Sequence, residues 1–498
     1  MKPKRSCEAC RQRHRKCITR PQATTCNGCD ELGRECTLTP PLQFLPWKAK
    51  AAGKARVDAD PSSPSALAGG TDLAQTPRSQ GLPSPLHGNE SLGSPVSQRR
   101  ESIVISNPHQ PSTSSLLSKR EAFLFRTWVQ KISLISDATD DARHFAITVS
   151  RLALEHPVLL NGILGLASRF DSLATGGPEA GEDLESAFYH GRCIELLINL
   201  LNRPVETYDD VLLAAVVLSR LYEENDTHTD SLTYHLAGTS TLLGHEVITR
   251  LAAEGGLAEA ACWVHLRQAL YVAIVHRQHP QIPLRLYENL TAFRRADDTS
   301  FGNRAVYLFA RIVLRYFPEQ CTEQILPQQE DTWTVLEEEL STWFQTKPVS
   351  FEPIYHTPPS ASTGEPFPCI WMASTAAAVA LQYYYSGMIV INLHRCHSTP
   401  TTGFEATKSR RTSEKCITAH LCALMGLALS NDQAMNAWYL PCHMLHLCGY
   451  LLQNPIERAH TVQYLQTVNR QIQWKTAPVI AALTEQWAEL DGHAAEME

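Results

Sequence analysis

The chain reads as a large all-α domain over residues 117–498, preceded by a small cysteine-framed module over residues 1–40 and a disordered linker over 41–116. Six of its 15 cysteines fall within the first 36 residues, and Ser, Pro and Gly dominate from about Ala51 to Ser115. From Leu117 onward apolar residues recur at three- and four-residue spacing almost without interruption. A chain of 498 residues exceeds one ordinary domain and can bury a large core beside a small module. Its 43% apolar content fits a soluble globular body.

The six N-terminal cysteines are Cys7, Cys10, Cys17, Cys26, Cys29 and Cys36. Their spacing, C-x2-C-x6-C, occurs twice with eight residues between the copies. Structural Zn²⁺ takes four ligands in a tetrahedron, so two ions need eight ligand positions, which six sulfurs fill if two of them bridge. A C-x2-C pair brings two thiolates to one metal around a tight turn, and six further residues, nearly two helical turns, return a third sulfur to the same side. The expectation is a module of two short helices and loops around two Zn²⁺ ions. A disulfide framework is the competing reading, but the chain begins Met1-Lys2-Pro3-Lys4-Arg5 without the apolar stretch of a signal peptide. Thiols in a reducing setting read first as metal ligands.

Charge separates this module from the rest. Residues 1–40 hold nine Lys or Arg against four Asp or Glu, giving +5, whereas the whole chain is −7 and the remainder must carry −12. Two zinc ions on six thiolates remove about two charges and leave the module basic. Such a concentration is the electrostatic footprint of a phosphate-binding surface. Between Cys10 and Cys17 stand Arg11, Arg13, His14, Arg15 and Lys16, on a segment short enough to form a helix with metal-fixed ends. A helix of this size fits the major groove, where Arg or Lys can bond guanine O6 and N7, while other basic side chains hold phosphates.

All six cysteines and the Cys-x2-Cys-Arg-x-Arg-x-x-Lys-Cys core resemble the fungal zinc binuclear cluster (Zn2Cys6) transcription factors over residues 4–38. The resemblance implies that Cys7 and Cys26 bridge the two metals, and that Arg13 and His14 read a CGG-like triplet in double-stranded DNA. It also implies a nuclear location and control of RNA polymerase II transcription. Two departures stand out. His14 occupies a position usually held by Lys or Arg, so its contact is weaker and pH-dependent. The inter-half loop Ile18 to Thr25 lacks the usual acid and places Pro21 early. The alternative function is a zinc module that docks proteins in a transcriptional cofactor or repressor without reading bases.

The linker cannot bury enough apolar surface to offset its chain entropy. Trp47 to Arg56 adds a mild basic tail, and Ser63, Thr76, Ser84 and Ser94 each precede proline, a weak phosphorylation pattern. No a/d heptad follows Cys36, so dimerisation through a coiled coil there is not expected; a homodimer through the helical domain stays open.

In the body, helical windows run Phe145–Leu154, Pro157–Phe170 with proline at the start, and Asp183–Asn202. They continue through Tyr208–Tyr222, Ala260–Ile274, Trp371–Leu393, Ile417–Leu429 and Ala437–Leu452. In Asp183–Asn202 the expected buried stripe is Ala187, Phe188, Gly191, Ile194, Leu197, Ile198 and Leu201. No β-rich alternation competes. Pro366 to His394 holds no Asp, Glu, Lys or Arg, but Gln382, Asn392 and three tyrosines make a buried core helix the reading rather than a membrane span. Glu330–Phe344, acidic with Trp333, Leu336, Leu340, Trp343 and Phe344, reads as an amphipathic helix docked on the bundle, with an activation segment as the rival.

The body also resembles the fungal-specific regulatory domain found beside many binuclear clusters. The likeness lies in His144 to Arg169, Trp263 to Gln268 and Trp474 to Trp487. It implies a domain that restrains or relays activation, with coactivators or corepressors as partners and a small molecule as one candidate input. No GxSxG, HExxH, Walker A or GxGxxG arrangement supports an enzyme. His394 to His397 and Cys442 to Cys448 carry ligand-type residues but read as ordinary helix positions, and the nine remaining cysteines read as small buried hydrophobes.

Overall fold

The computed structural model describes residues 6–7, 26, 29, 38–39, 117–174, 183–224, 238–239, 241–318, 332–360, 364–398 and 402–496. The chain divides into two compact units, residues 1–106 and 107–498. The linker's expected disorder, its Ser/Thr-Pro sites, Cys321 and the last acidic residues of the tail lie outside the described residues.

The described part of the second unit is almost entirely helical. Its longer helices are α1 (Lys119–Thr127), α2 (Pro157–Ala174), α3 (Leu184–Leu201), α4 (Asp210–Glu224), α5 (Glu246–Glu254) and α6 (Gly256–His276). There follow α7 (Asp298–Tyr316), α8 (Trp333–Gln345), α9 (Thr375–Ser398), α10 (Phe404–Ser430), α11 (Tyr439–Cys448), α12 (Pro455–Ile472) and α13 (Ala477–Glu496).

Local chemistry sets many of the ends. Ser118 and Glu121 form a reciprocal capping box on α1, each side chain taking the other's backbone N–H. Asp183, Asp297, Thr332 and Asn454 cap α3, α7, α8 and α12, the last with Pro455 behind it. At the α5–α6 joint the chain passes through Gly255 at φ 98° and Gly256 at φ 70°, a region that side chains avoid. Asp137 accepts from the backbone N–H groups of Phe145 and Ala146 at 2.8 Å each and so caps the π-helical turn Phe145–Val149. Burial pushes its carboxyl up to about 6 despite those two bonds.

Helix α6 packs against α4, α5, α7 and α11, and α9 packs against α7, α8 and α10. Both are apolar around nearly their whole circumference, as helices at the centre of a bundle must be. In α9, 83% of the most apolar window is buried among protein neighbours, as the core-helix reading expects. In α8, Leu336, Leu340 and Trp343 are buried, so this segment is docked on the bundle by its apolar face.

Two expectations need correction. The window from Trp371 begins as a strand: Tyr355–Thr357 (β3) pairs antiparallel with Cys369–Trp371 (β4), and α9 starts only at Thr375. Tertiary contacts override helical period there. Ile370 N–H donates to Ser430 Oγ, Met372 N–H donates to Asn431 Oδ1, and Asn431 Nδ2 returns a bond to Ile370 O, pinning the strand to the end of α10. The buried face of α3 is also different. Ser186, Cys193 and Leu197 are inside, while Phe188, Ile198 and Leu201 are exposed at 67%, 52% and 41%, and Gly191 is exposed too. A helix with apolar residues on two faces offers two candidate stripes, and contact with α2 and α4 selects the one through Cys193.

Candidate metal centre

Within the N-terminal unit the cysteine-bearing segment is closed by backbone pairing. Ser6–Cys7 (β1) pairs antiparallel with Leu38–Thr39 (β2), closing the cysteine-bearing segment into a loop. This two-residue ladder adds to the helices and loops that the cysteine spacing predicts. Cys26 and Cys29 are buried at 0% and 3% exposure, and Cys29 N–H donates to Cys26 O at 3.1 Å, a tight turn. Two thiols buried in a segment too short for its own apolar core fit sulfur ligation of a metal. Cys10, Cys17 and Cys36, and the basic residues Arg11, Arg13, His14, Arg15 and Lys16, lie outside the described residues, as does the side chain of Cys7.

Three histidines of the ligand-type runs in the helical unit are taken up by neighbours. His446 Nε2 lies 3.2 Å from Val275 O, His394 stacks on Trp333 at 4.1 Å, and His397 stacks on Tyr316 at 6.2 Å. Cys193, Cys262, Cys422, Cys442 and Cys448 are buried, and desolvation pushes the first four thiols up to about 12, so they stay protonated. Among the described residues no group of three or more His, Cys, Asp or Glu is placed to hold a metal.

The helical unit does contain a cavity of about 100 Å³ between α2, α4, α6, α9 and α11. Ile132, Ile135, Leu166, Leu221, Val264 and Ile274 supply apolar wall, and Tyr271, Tyr439, His443 and Trp474 an aromatic one. The ring centroids of Tyr271 and His443 lie 4.4 Å apart, those of Tyr271 and Trp474 5.2 Å, and those of Tyr439 and Trp474 5.1 Å. Ser136, Glu224, Arg267, Gln268 and Asn436 are further polar residues of the lining. Desolvation pushes the Glu224 carboxyl up to about 7, against the downward pull of Arg220 and of the neighbouring Gln268 amide. Burial holds the His443 imidazole down at about 3, so it is neutral. Neither Glu224 nor Gln268 was singled out from the sequence; the signal was a glutamate ending an otherwise buried helix, and only the fold brings it to Gln268 and His443.

Two family models match the chain: the fungal Zn(2)-Cys(6) binuclear cluster domain over residues 5–44, and the fungal specific transcription factor domain over residues 123–493. No curated protein and no solved structure matches it. The cluster domain binds two zinc ions and implies DNA binding, and both families are those of transcription factors, not enzymes. With the second match spanning most of its length, the chain belongs to the fungal specific transcription factor domain family and carries a Zn(2)-Cys(6) binuclear cluster domain at its N-terminus.

Proposed function

We propose that this protein is a nuclear, sequence-specific regulator of RNA polymerase II transcription that reads a CGG-like triplet. The observation that carries the reading is the basic run Arg11 to Lys16 set between Cys10 and Cys17, inside a doubled cysteine motif. In this reading Cys7, Cys10, Cys17, Cys26, Cys29 and Cys36 hold the two zinc ions, with Cys7 and Cys26 shared between them. The buried pair Cys26 and Cys29 and the closing ladder at Cys7 support that assignment. Bound zinc supplies the folding energy that so short a segment lacks.

In this reading Arg13 donates to the two acceptors of a guanine edge, and His14 adds a pH-dependent bond to the neighbouring base. Arg11, Arg15 and Lys16 neutralise phosphates and fix register. The acidic helical domain, separated by some 76 residues of Ser/Pro-rich chain on the sequence boundaries 41–116, relays regulatory input to this module and contacts coactivators or corepressors.

Random-site selection with the full, zinc-loaded chain tests the proposal. An enriched CGG-containing site whose affinity falls with salt is expected. Recovery of no enriched sequence would favour a protein-docking zinc module and overturn base reading.

A further inference from the structure

The cavity of the helical unit carries chemistry that packing does not use. Four of its lining residues place buried polar atoms there without a hydrogen-bond partner: Glu224 Oε1, His443 Nε2, Ser136 Oγ, and both amide atoms of Gln268. The Glu224 side chain is nine-tenths buried, and Gln268 and His443 are 5% and 8% exposed. Buried polar groups in folded proteins are ordinarily paired, and a cluster of orphans around one cavity points to a partner that is not part of the chain.

The kind of partner follows from which atoms are left over. Arg267, which lines the cavity, is engaged by protein acceptors, while Arg220 behind it is engaged through Nη1 and leaves Nη2 as an unpartnered donor. Arg267 donates to Thr139 Oγ1 at 3.0 Å and to Ser136 O at 2.6 Å, and Arg220 donates to His265 Nδ1 at 2.6 Å. Arg220 Nη2 stands 3.9 Å from Glu224 Oε1, beyond hydrogen-bond length. Three of the unmatched atoms are acceptors: the Glu224 carboxylate oxygen, the Gln268 carbonyl oxygen, and His443 Nε2 in the tautomer protonated at Nδ1. A primary ammonium offers three donors and a charge that a carboxylate matches. The faces of Tyr271, Tyr439 and Trp474 attract cations through their ring quadrupoles. The aliphatic wall from Ile132, Ile135, Leu166, Leu221, Val264 and Ile274 suits an apolar body, and about 100 Å³ limits that body to a single ring.

We infer that this cavity is a binding site for a small, single-ring primary amine, with its ammonium on Glu224, Gln268 and His443 and its ring against Tyr271, Tyr439 and Trp474. The site belongs to the helical domain alone, so it stands or falls independently of what the zinc module reads.

The test uses the full, zinc-loaded chain without DNA and three probes of one shape: benzylamine, benzyl alcohol and benzoate. At pH 8 the Glu224 carboxyl, pushed up to about 7, is mostly ionised while benzylamine stays protonated. Calorimetry should show saturable benzylamine binding, at least about tenfold weaker binding of benzyl alcohol, and none of benzoate. Glu224→Gln should bring benzylamine down to the level of benzyl alcohol and leave benzyl alcohol unchanged. Equal affinity for the amine and the alcohol on the unaltered protein, or an unchanged benzylamine affinity in Glu224→Gln, would overturn the proposal. Absence of saturable binding by all three probes would overturn it as well, leaving water as the occupant. The probe contrast on the unaltered protein decides the matter even if the variant folds poorly.

Discussion

Glu224→Gln should gain stability relative to the unaltered helical unit as the pH rises from 4.5 to 8. Burial pushes this carboxyl from its ordinary 4.5 up to about 7; Arg220 and Gln268 pull it back and Glu223 adds to the rise. The folded protein therefore holds the Glu224 proton over a window in which the unfolded chain has released it. Stability from this group is full below about pH 4.5, falls as pH rises toward 7, and is flat beyond. A shift of this size corresponds to about 3 kcal/mol at 1.36 kcal/mol per pKa unit. Glutamine cannot ionise, so it removes the slope. Any fixed cost of burying the amide shifts the variant's curve by a constant without altering its shape. Urea unfolding of the two full, zinc-loaded proteins, followed by far-ultraviolet circular dichroism at half-unit steps from pH 4.5 to 8, measures the difference directly. The other titrating groups are common to both proteins and cancel, including Asp137, itself raised to about 6. The difference should grow by about 3 kcal/mol across the range in favour of the variant. A pH-independent difference would mean that Glu224 titrates as a hydrated carboxylate, and the account of a desolvated cavity would be wrong.

Three further outcomes are expected. Cys17→Ala should leave the N-terminal module unfolded, because loss of one thiolate breaks a site whose metal affinity is also its folding energy; two zinc ions still bound by native mass spectrometry would refute this. Arg13→Ala should relax preference at one base pair by about 1–3 kcal/mol in competition binding, with little change in salt slope, and an unaltered selected motif would remove Arg13 from the base edge. Gly426→Ala should lower the urea midpoint of the helical unit by the equivalent of at least about 2 kcal/mol. A Cβ there would stand 2.3 Å from Pro368 O and 3.0 Å from its ring, backbone that cannot swing aside; an unchanged midpoint would show that β4 and α10 separate freely.

The parts of this protein that were legible in advance are those whose determinants are neighbours in the chain. Cysteines three and seven positions apart announce a metal module because the spacing itself is the ligand geometry, and the basic run beside them is equally local. Helices α2, α3, α4, α6, α8, α9, α10 and α11 show in a 3.6-residue period, which acts within one or two turns. What periodicity left undecided is which of two apolar faces on α3 is buried, since Phe188 and Cys193 are equally apolar to a pattern. It also missed the β3–β4 pairing, which depends on Ser430 and Asn431 some 60 residues away.

The sequence by itself determined the zinc module, the helical body and the family, because thiol spacing and amphipathic period act over one or two turns of chain. Tertiary structure alone decided the cavity. Glu224, Gln268, His443 and Trp474 lie on segments separated by tens to hundreds of residues, and each is unremarkable where it stands. Only when α4, α6 and α11 pack do their polar atoms lose water together, and desolvation, which no local pattern encodes, is what turns them into a site.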